Sequence, residues 1–191
     1  MELFFDTETS DKFDFKTQSY KDENFPWVVQ IGAILANKGI VLGELNFIIH
    51  PDGRKISDNA VAVHNIPAEL AKKSGIPERT LADIFAEMMH ISDTLIAHNF
   101  DFDSRTMAGV LYRQGLKGLA HSLVYDFPCF CTMKETTDLC KLPGPYGWKW
   151  PKLSELYIFL FNESLVGAHD AMYDIRATMR CYYELKKRNL I

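Results

Sequence analysis

The sequence has little cysteine, no long apolar run and no excess of positive charge. Its 191 residues include four cysteines, too few for a disulfide scaffold, and the spacing of Cys129 and Cys131 differs from the Cys-x-x-Cys pairs of zinc sites. The apolar run at residues 157–161 is far shorter than the roughly 20 residues that cross a membrane. The first residues also lack the basic and apolar segments of a secretory signal. We therefore expect reduced thiols, no membrane contact and a cytoplasmic location.

The charge balance argues against one class of nucleic-acid binding. Lysine and arginine number 21 against 25 aspartates and glutamates, so the net charge is −4. Such a chain is poorly suited to coat duplex DNA by neutralising its phosphates. It remains suited to hold a nucleic-acid end through a few local contacts and bound metal ions, because the neighbourhood of a site determines its field.

Residue patterns predict one α/β domain over residues 1–191. Strands are predicted at residues 2–6, 27–36, 40–49 and 94–98, and helices at 57–64, 67–75, 103–113, 151–162 and 170–187, with another that begins at Thr80. A turn at residues 37–39 predicts an antiparallel hairpin, and the strand at 94–98 with its following helix predicts a βα unit. Together these elements predict a three-layer fold around a mixed sheet.

Acidic residues occur at three strand or helix ends. Asp6 and Glu8 lie two apart at the end of the first strand, so they face the same side, and two such carboxylates favour a hard divalent cation. Asp101 and Asp103 follow a buried strand, and the residues alone do not decide between them. Asp174 lies five after His169, about 140° apart on a helix, so a shared site needs His169 on the preceding loop.

Taken together, these motifs resemble the DEDDh family of 3′-to-5′ exonucleases in the ribonuclease H-like superfamily. The matching stretches are Phe5-Asp6-Thr7-Glu8-Thr9, Val29-Gln30-Ile31-Gly32-Ala33, Ala97-His98-Asn99 with Phe102-Asp103, and Ala168-His169-Asp170-Ala171 with Asp174. The resemblance extends from Leu3 to about Leu185. It implies a ribonuclease H-like three-layer fold with a central mixed five-stranded sheet flanked by helices, and it selects Asp103 over Asp101.

The resemblance also implies a chemistry. Asp6, Glu8, Asp103 and Asp174 would hold two Mg²⁺ or Mn²⁺ ions, and His169 would be the general base. The reaction would release nucleoside 5′-monophosphates from the 3′ end of DNA, with single-stranded DNA favoured. The predicted substrate contacts are Thr7, Thr9, His64 and Phe100, the last by stacking on a terminal base.

Two other functions stay open at this point, and two segments depart from or extend the pattern. Trimming of RNA uses the same motifs, and an interaction module that docks on a polymerase or repair protein is the alternative from another class. Residues 10–26 look longer than the usual connection, and Asn65 stands where such enzymes often carry glycine. Trp148 and Trp150 are predicted to be packing anchors for the helix that follows them.

Overall fold

A mixed sheet of five strands forms the centre of the computed structural model, which describes residues 1–165 and 171–191. The strands are β1 (Glu2–Thr9), β2 (Val28–Asn37), β3 (Ile40–Ile48), β4 (Thr94–Ala97) and β5 (Cys129–Cys131). Their order is β3-β2-β1-β4-β5. β2 pairs antiparallel with both β1 and β3, whereas β4 pairs parallel with β1 and β5. The predicted hairpin and βα unit are confirmed, and β1 lies in the middle of the sheet.

The predicted helices are present, and the ends that the structure describes lie within three residues of the predicted ones. The helices of the described residues are α1 (Asp58–His64), α2 (Ala68–Ser74), α3 (Glu78–His90), α4 (Phe100–Arg113), α5 (Lys117–Tyr125), α6 (Thr132–Glu135), α7 (Thr137–Cys140), α8 (Leu153–Phe161) and α9 (Ala171–Lys187). Ser57 caps α1, since its hydroxyl oxygen accepts from the backbone N–H of Ala60 at 3.1 Å. Helix α4 was predicted to begin at Asp103, whereas it begins three residues earlier, at Phe100. Asp103 therefore lies in its first turn.

The alternation of side chains along β1 separates the two helical layers. Phe5 packs edge-on against Phe85 of α3 and Phe100 of α4. Phe4 points to the other face, where it belongs to a cluster with Ile175 and Tyr182 of α9. Helix α8 packs outside α9 in a third cluster. The three-layer arrangement is thus confirmed, with α3 and α4 on one side of the sheet and α9 on the other.

The long connection after β1, residues 10–26, is tied to the domain by aromatic side chains. Phe13, Tyr20 and Phe25 are buried. Phe13 stacks on Phe102 of α4, with the ring centroids 4.9 Å apart and an interplanar angle of 9°. This connection therefore forms part of the wall beside the C-terminal end of β1.

Several short elements escaped the sequence analysis. They are α5, α6, α7, β5 and a second, two-stranded sheet of β6 (Pro143–Gly144) and β7 (Gly147–Trp148). All four cysteines are free thiols. Within the described residues, none of the helices combines the length and apolar character needed to cross a membrane.

Candidate active site

The end of β1 brings together side chains from both helical layers. Thr7 has the same parity as Phe5 and faces α4, whereas Asp6 and Glu8 have the parity of Phe4 and face α9. The pairing of β1 with β2 shifts register between Glu8 and Thr9, which marks a bulge at this strand end. Acidic residues of α4 and α9 can therefore approach β1 from opposite sides.

Asp103 is held against β1 by two hydrogen bonds. The backbone N–H and the hydroxyl of Thr7 both donate to Asp103 Oδ1, at 2.9 and 2.8 Å. Only 2% of Asp103 is exposed. Burial raises the pKa of the Asp103 carboxyl to about 8, and the negative charge of Glu8 adds to the rise while the Thr7 hydrogen bonds oppose it. A cation bound beside Asp103 and Glu8 would oppose both effects that raise this pKa, the burial and the charge of Glu8.

Asp101 has different surroundings from Asp103. Its side chain is 48% exposed and forms an ion pair with Lys134, with Oδ2 and Nζ 2.6 Å apart. The structure thus brings Asp103, and not Asp101, to the end of β1.

Gly32 allows α9 to approach the sheet beside Asp6. Gly32 lies opposite Asp6 in the pairing of β2 with β1. A Cβ atom on Gly32 would meet Cδ1 of Ile175 at 2.7 Å and the backbone carbonyl oxygen of Ala171 at 3.2 Å. The absent side chain therefore lets the first turn of α9, which carries Asp174, pack directly on the strand next to Asp6.

A pocket of about 370 Å³ opens beside this strand end. Its walls comprise Thr7, Glu8 and Thr9 of β1, Asp11 and Lys12 of the long connection, Asn59, Ala60, Val63 and His64 of α1, and Phe102 of α4. Three of the four predicted substrate contacts, Thr7, Thr9 and His64, thus share one cavity. We assign this cavity as the candidate nucleotide pocket.

The prediction for Phe100 needs correction. Phe100 is only 4% exposed, and its ring packs on Phe5 in the core, so neither face is open to a base. Phe102, two residues on, lines the pocket instead. The reason is helical phase, because residues two apart on a helix point about 200° apart.

His64 is a buried and ordered part of the pocket wall. The backbone N–H of Ile66 donates to His64 Nδ1 at 3.0 Å, which leaves the ring proton on Nε2. Burial lowers the pKa of His64, against the opposing effect of the Thr9 backbone. The ring therefore presents a neutral imidazole at neutral pH.

Two predicted roles, the general base and the set of metal ligands, are not tested by these contacts. His169, the predicted general base, lies outside the described residues, as do the neighbouring residues 166–170. Within residues 1–165 and 171–191, no three histidine, cysteine, aspartate or glutamate side chains are arranged as a ready metal site. Asp6, Glu8, Asp103 and Asp174 therefore remain predictions as a ligand set, although their purely carboxylate oxygens suit Mg²⁺ or Mn²⁺.

Sequence reasoning missed one positioning residue, His98. Its Nε2 donates to the carbonyl oxygen of Pro151 at 3.1 Å, and its Nδ1 lies 2.9 Å from the Thr132 hydroxyl. Burial lowers the pKa of His98 to about 4, so the ring is neutral and ties the end of β4 to the segment before α8. The sequence feature that could have identified His98 is its position directly after a buried strand, within the Ala97-His98-Asn99 motif.

Comparison with known proteins agrees with this architecture. An exonuclease family model, RNase_T, matches residues 3–182. Exonuclease I of E. coli in complex with a dA16 oligonucleotide superimposes with a TM-score of 0.78 at 21% identity, covering 99% of this chain and 41% of that one. The zinc-bound complex of E. coli exonuclease I with single-stranded DNA gives 0.78 at 19% identity, covering 99% and 41%.

The chain therefore spans about 41% of the length of the solved structures that it matches. No curated protein matched its sequence. The structural likeness establishes the fold, and the family match extends over nearly all of the chain. The chain belongs to the RNase_T exonuclease family of nucleases, as the DEDDh resemblance predicted, and has the ribonuclease H-like fold seen in exonuclease I.

Proposed function

We propose that residues 1–191 form a single exonuclease domain that removes nucleoside 5′-monophosphates from the 3′ end of single-stranded DNA. The observation that carries this proposal is the buried Asp103 carboxyl, which Thr7 holds and whose pKa the charge of Glu8 raises further, next to a pocket that Thr7 and Glu8 line. Such a concentration of acidic groups is suited to binding divalent cations next to a phosphodiester. The DNA complexes of exonuclease I favour DNA as the substrate.

The residues that would hold the cations come from three elements. Asp6 and Glu8 would contribute from β1, Asp103 from α4 and Asp174 from α9. Two Mg²⁺ or Mn²⁺ ions bound there would neutralise the phosphate oxygens and lower the pKa of a bound water. His169 would take the proton of the attacking water, since a neutral imidazole is available near pH 7.

The remaining polar groups of the site position these acids. Thr7 uses both its backbone N–H and its hydroxyl on Asp103, which fixes one carboxylate oxygen and leaves Oδ2 for another partner. The Thr9 hydroxyl donates to the carbonyl oxygen of Asp11 at 2.8 Å and so holds the start of the long connection. These contacts order the pocket before any substrate binds, which reduces the entropy lost on binding.

The pocket itself would receive the terminal nucleotide. Its volume of about 370 Å³ lies within the roughly 300–1,000 Å³ typical of small-molecule sites. Phe102 and Val63 supply apolar surface for the base, and the buried His64 imidazole supplies a polar atom in the same wall. A closed end at this pocket would restrict cleavage to the terminal phosphodiester.

The direct test is release of labelled mononucleotide from the 3′ end of matched DNA and RNA single strands. With Mg²⁺ or Mn²⁺ we expect rapid release from DNA, none in EDTA, and none from Asp174→Ala. Glu87→Ala, an exposed acid on α3, serves as the matched control and should behave like wild type.

Each other outcome would overturn part of the proposal. Preference for the RNA strand would make the chain an exoribonuclease. If neither strand releases mononucleotide and a polymerase or repair protein co-purifies, the result would favour the interaction module. Cleavage that persists in EDTA would contradict the use of divalent cations.

A further inference from the structure

The segment of residues 141–152 exposes three aromatic rings on a small hairpin. We name it the aromatic hairpin; it contains β6 and β7 and the residues around them. Tyr146 at the tip is 103% exposed, Trp148 is 52% exposed and Trp150 is 60% exposed. The prediction that both tryptophans are packing anchors is therefore wrong. Large rings left in solvent side by side are uncommon unless they contact a partner.

The backbone of the hairpin holds these rings in place. Pro143 pairs with Trp148 and Gly144 with Gly147, and the N–H of Lys149 donates to the carbonyl oxygen of Leu142 at 2.9 Å. Gly147 has a φ of +123°, which favours glycine. The rings thus sit on an ordered turn, so less entropy is lost when they bind a ligand.

The hairpin is also a positive patch on an acidic protein. Residues 141–152 contain Lys141, Lys149 and Lys152 and no acidic residue, whereas the whole chain has a net charge of −4. Lys149 forms an ion pair with Glu155, with Nζ and Oε1 2.5 Å apart. Lys141 and Lys152 flank the rings on either side. Lysines and aromatic rings alternate here along one short stretch of chain.

The hairpin is anchored at the end of β4, which pairs parallel with β1 and so ends at the same edge of the sheet as the candidate active site. His98 donates to the carbonyl oxygen of Pro151, immediately after Trp150. His98 follows β4 and precedes Asn99, the N-cap residue of α4, and α4 is the helix that carries Asp103. A strand of nucleic acid that leaves the nucleotide pocket therefore has an aromatic surface at the same edge of the sheet.

We propose that the aromatic hairpin binds the single strand upstream of the 3′ end, with bases stacked on Tyr146, Trp148 and Trp150 and phosphates beside Lys141 and Lys152. Single-stranded nucleic acid is the ligand that needs both features, since every base offers a flat face and every linkage a negative charge. Stacking also tolerates any sequence, as an exonuclease that advances along a strand requires. This inference rests on the proposed function.

The test compares oligonucleotide affinity in an Asp174→Ala background with EDTA, by fluorescence anisotropy of labelled dT12 and dT3. Tyr146→Ala and Trp150→Ala should each weaken dT12 binding by roughly 5- to 150-fold, the range for loss of one stacked base. The loss should be larger for dT12 than for dT3, because the longer strand extends beyond the pocket. Tyr125→Ala, an exposed tyrosine on α5, is the matched control and should bind like the parent.

A second readout follows the tryptophans directly. Trp148 and Trp150 are exposed, whereas Trp27 is buried, so dT12 should quench intrinsic fluorescence, and replacement of both exposed tryptophans by phenylalanine should remove the quenching. Unchanged dT12 affinity in Tyr146→Ala and Trp150→Ala would overturn the inference, as would loss of a co-purifying protein without loss of DNA binding. Failure of the Asp174→Ala parent to bind dT12 together with failure of the wild type to cleave DNA would instead overturn the proposed function.

Discussion

Asp103 and Asp101 lie two residues apart on α4 in opposite surroundings. Asp103 is buried and accepts two hydrogen bonds from Thr7, whereas Asp101 is half exposed and paired with Lys134. One carboxylate is thus built into the strand end, and the other belongs to the surface. A surface ion pair contributes little, so the two residues should respond very differently to the same substitution.

Replacement of each by asparagine separates a site acid from a surface acid. Asp103→Asn should reduce exonuclease activity by at least roughly 100-fold, since it removes a carboxylate from the proposed cation site. Asp101→Asn should change activity by less than about fivefold, the upper bound for an exposed ion pair. Steady-state release of mononucleotide measures both. An inactive Asp101→Asn beside an active Asp103→Asn would reverse the assignment.

Glu78 joins three distant segments through a buried ionic network. It is 5% exposed, and its carboxylate accepts from Arg54 at 2.8 Å, from Arg113 at 2.8 Å and from Gln114 at 3.2 Å. Burial raises the pKa of Glu78, but the hydrogen bonds and charges of Arg113 and Arg54 outweigh it and lower the pKa. Arg54 in turn stacks over the ring of Trp27. The network therefore fixes the loop before α1. Helix α1 itself forms one side of the pocket.

Glu78→Gln should lower the free energy of unfolding at pH 7 by about 3 kcal/mol, because it leaves two partly buried guanidinium groups without a counter-charge. A carboxyl with a lowered pKa stabilises the fold above its ordinary pKa and loses this effect as the pH falls through the lowered value. The difference from wild type should therefore shrink below about pH 4. Urea denaturation at pH 7 and at about pH 3, below the ordinary pKa of a glutamate, measures it. Glu69→Gln, in an exposed pair with Lys72, should cost less than about 1 kcal/mol.

The identities of the acids were readable from the sequence, but their supports were not. Spacing placed Asp6 and Glu8 on one side of a strand, and the resemblance chose Asp103. The choice of Phe100 failed because the first residue of α4 decides which ring faces the core, and helix ends are the least certain part of a pattern. The bond from Thr7 to Asp103 spans 96 residues, and local patterns do not report contacts of that range.

At the level of elements, the contact between α9 and the sheet depends on a single small residue. Gly32 lies in the middle of β2, where any side chain would collide with Ile175 and Ala171. The same contact sets how far Asp174 stands from Asp6. A larger side chain at Gly32 should therefore push α9 away from the sheet, and this displacement should affect both stability and activity.

Gly32→Ala should destabilise the protein by about 1–3 kcal/mol, the usual cost of overpacking a core. Activity should also fall in protein that is still fully folded, because α9 must move away from β1. Thermal unfolding and mononucleotide release, measured at a temperature where the variant remains folded, separate the two effects. Gly43→Ala is the matched control, since a Cβ atom at Gly43 on β3 meets no other atom within 4 Å. Normal activity in Gly32→Ala would remove Gly32 from the support of Asp174.

Long periodic elements were predictable, and short ones were not. The strands β1 to β3 and the helices α4, α8 and α9 carry enough residues for the apolar repeat to be seen. Strand β5 has three residues and α6 and α7 have four each, so they depend on neighbours. Cys129 to Cys131 form a strand because β4 offers a parallel edge, which is a tertiary cause. The aromatic hairpin was likewise hidden, since burial of a tryptophan cannot be read from its identity.

For the whole molecule, stability should depend on divalent cations. The proposed ligands are four carboxyl groups, and burial together with the charge of Glu8 opposes ionisation of Asp103 until a cation compensates for it. Binding of Mg²⁺ or Mn²⁺ to the folded chain should stabilise it by about 2.7 kcal/mol at a concentration one hundred times the Kd. Differential scanning fluorimetry should show a higher Tm with Mg²⁺ than with KCl of equal ionic strength.

The same measurement on Asp6→Asn and Asp103→Asn should show a much smaller rise in Tm, because each variant lacks one proposed ligand. Glu87→Ala should show the full rise. An equal rise in all four proteins would place the cation elsewhere.

The central position of β1 also has a consequence for the order in which the chain is made. β1 is synthesised before the elements that surround it, yet it pairs with β4, which begins at Thr94, and is covered by α9, which begins at Ala171. Closing such long loops carries an entropic cost that local helices do not bear. A ribosome-bound chain or a product truncated before residue 171 therefore lacks Asp174 and the cover over Asp6. In the proposed site, cleavage of nucleic acid would begin only after α9 has been made and has packed on the sheet, so the onset of activity would itself report that β1 has been covered.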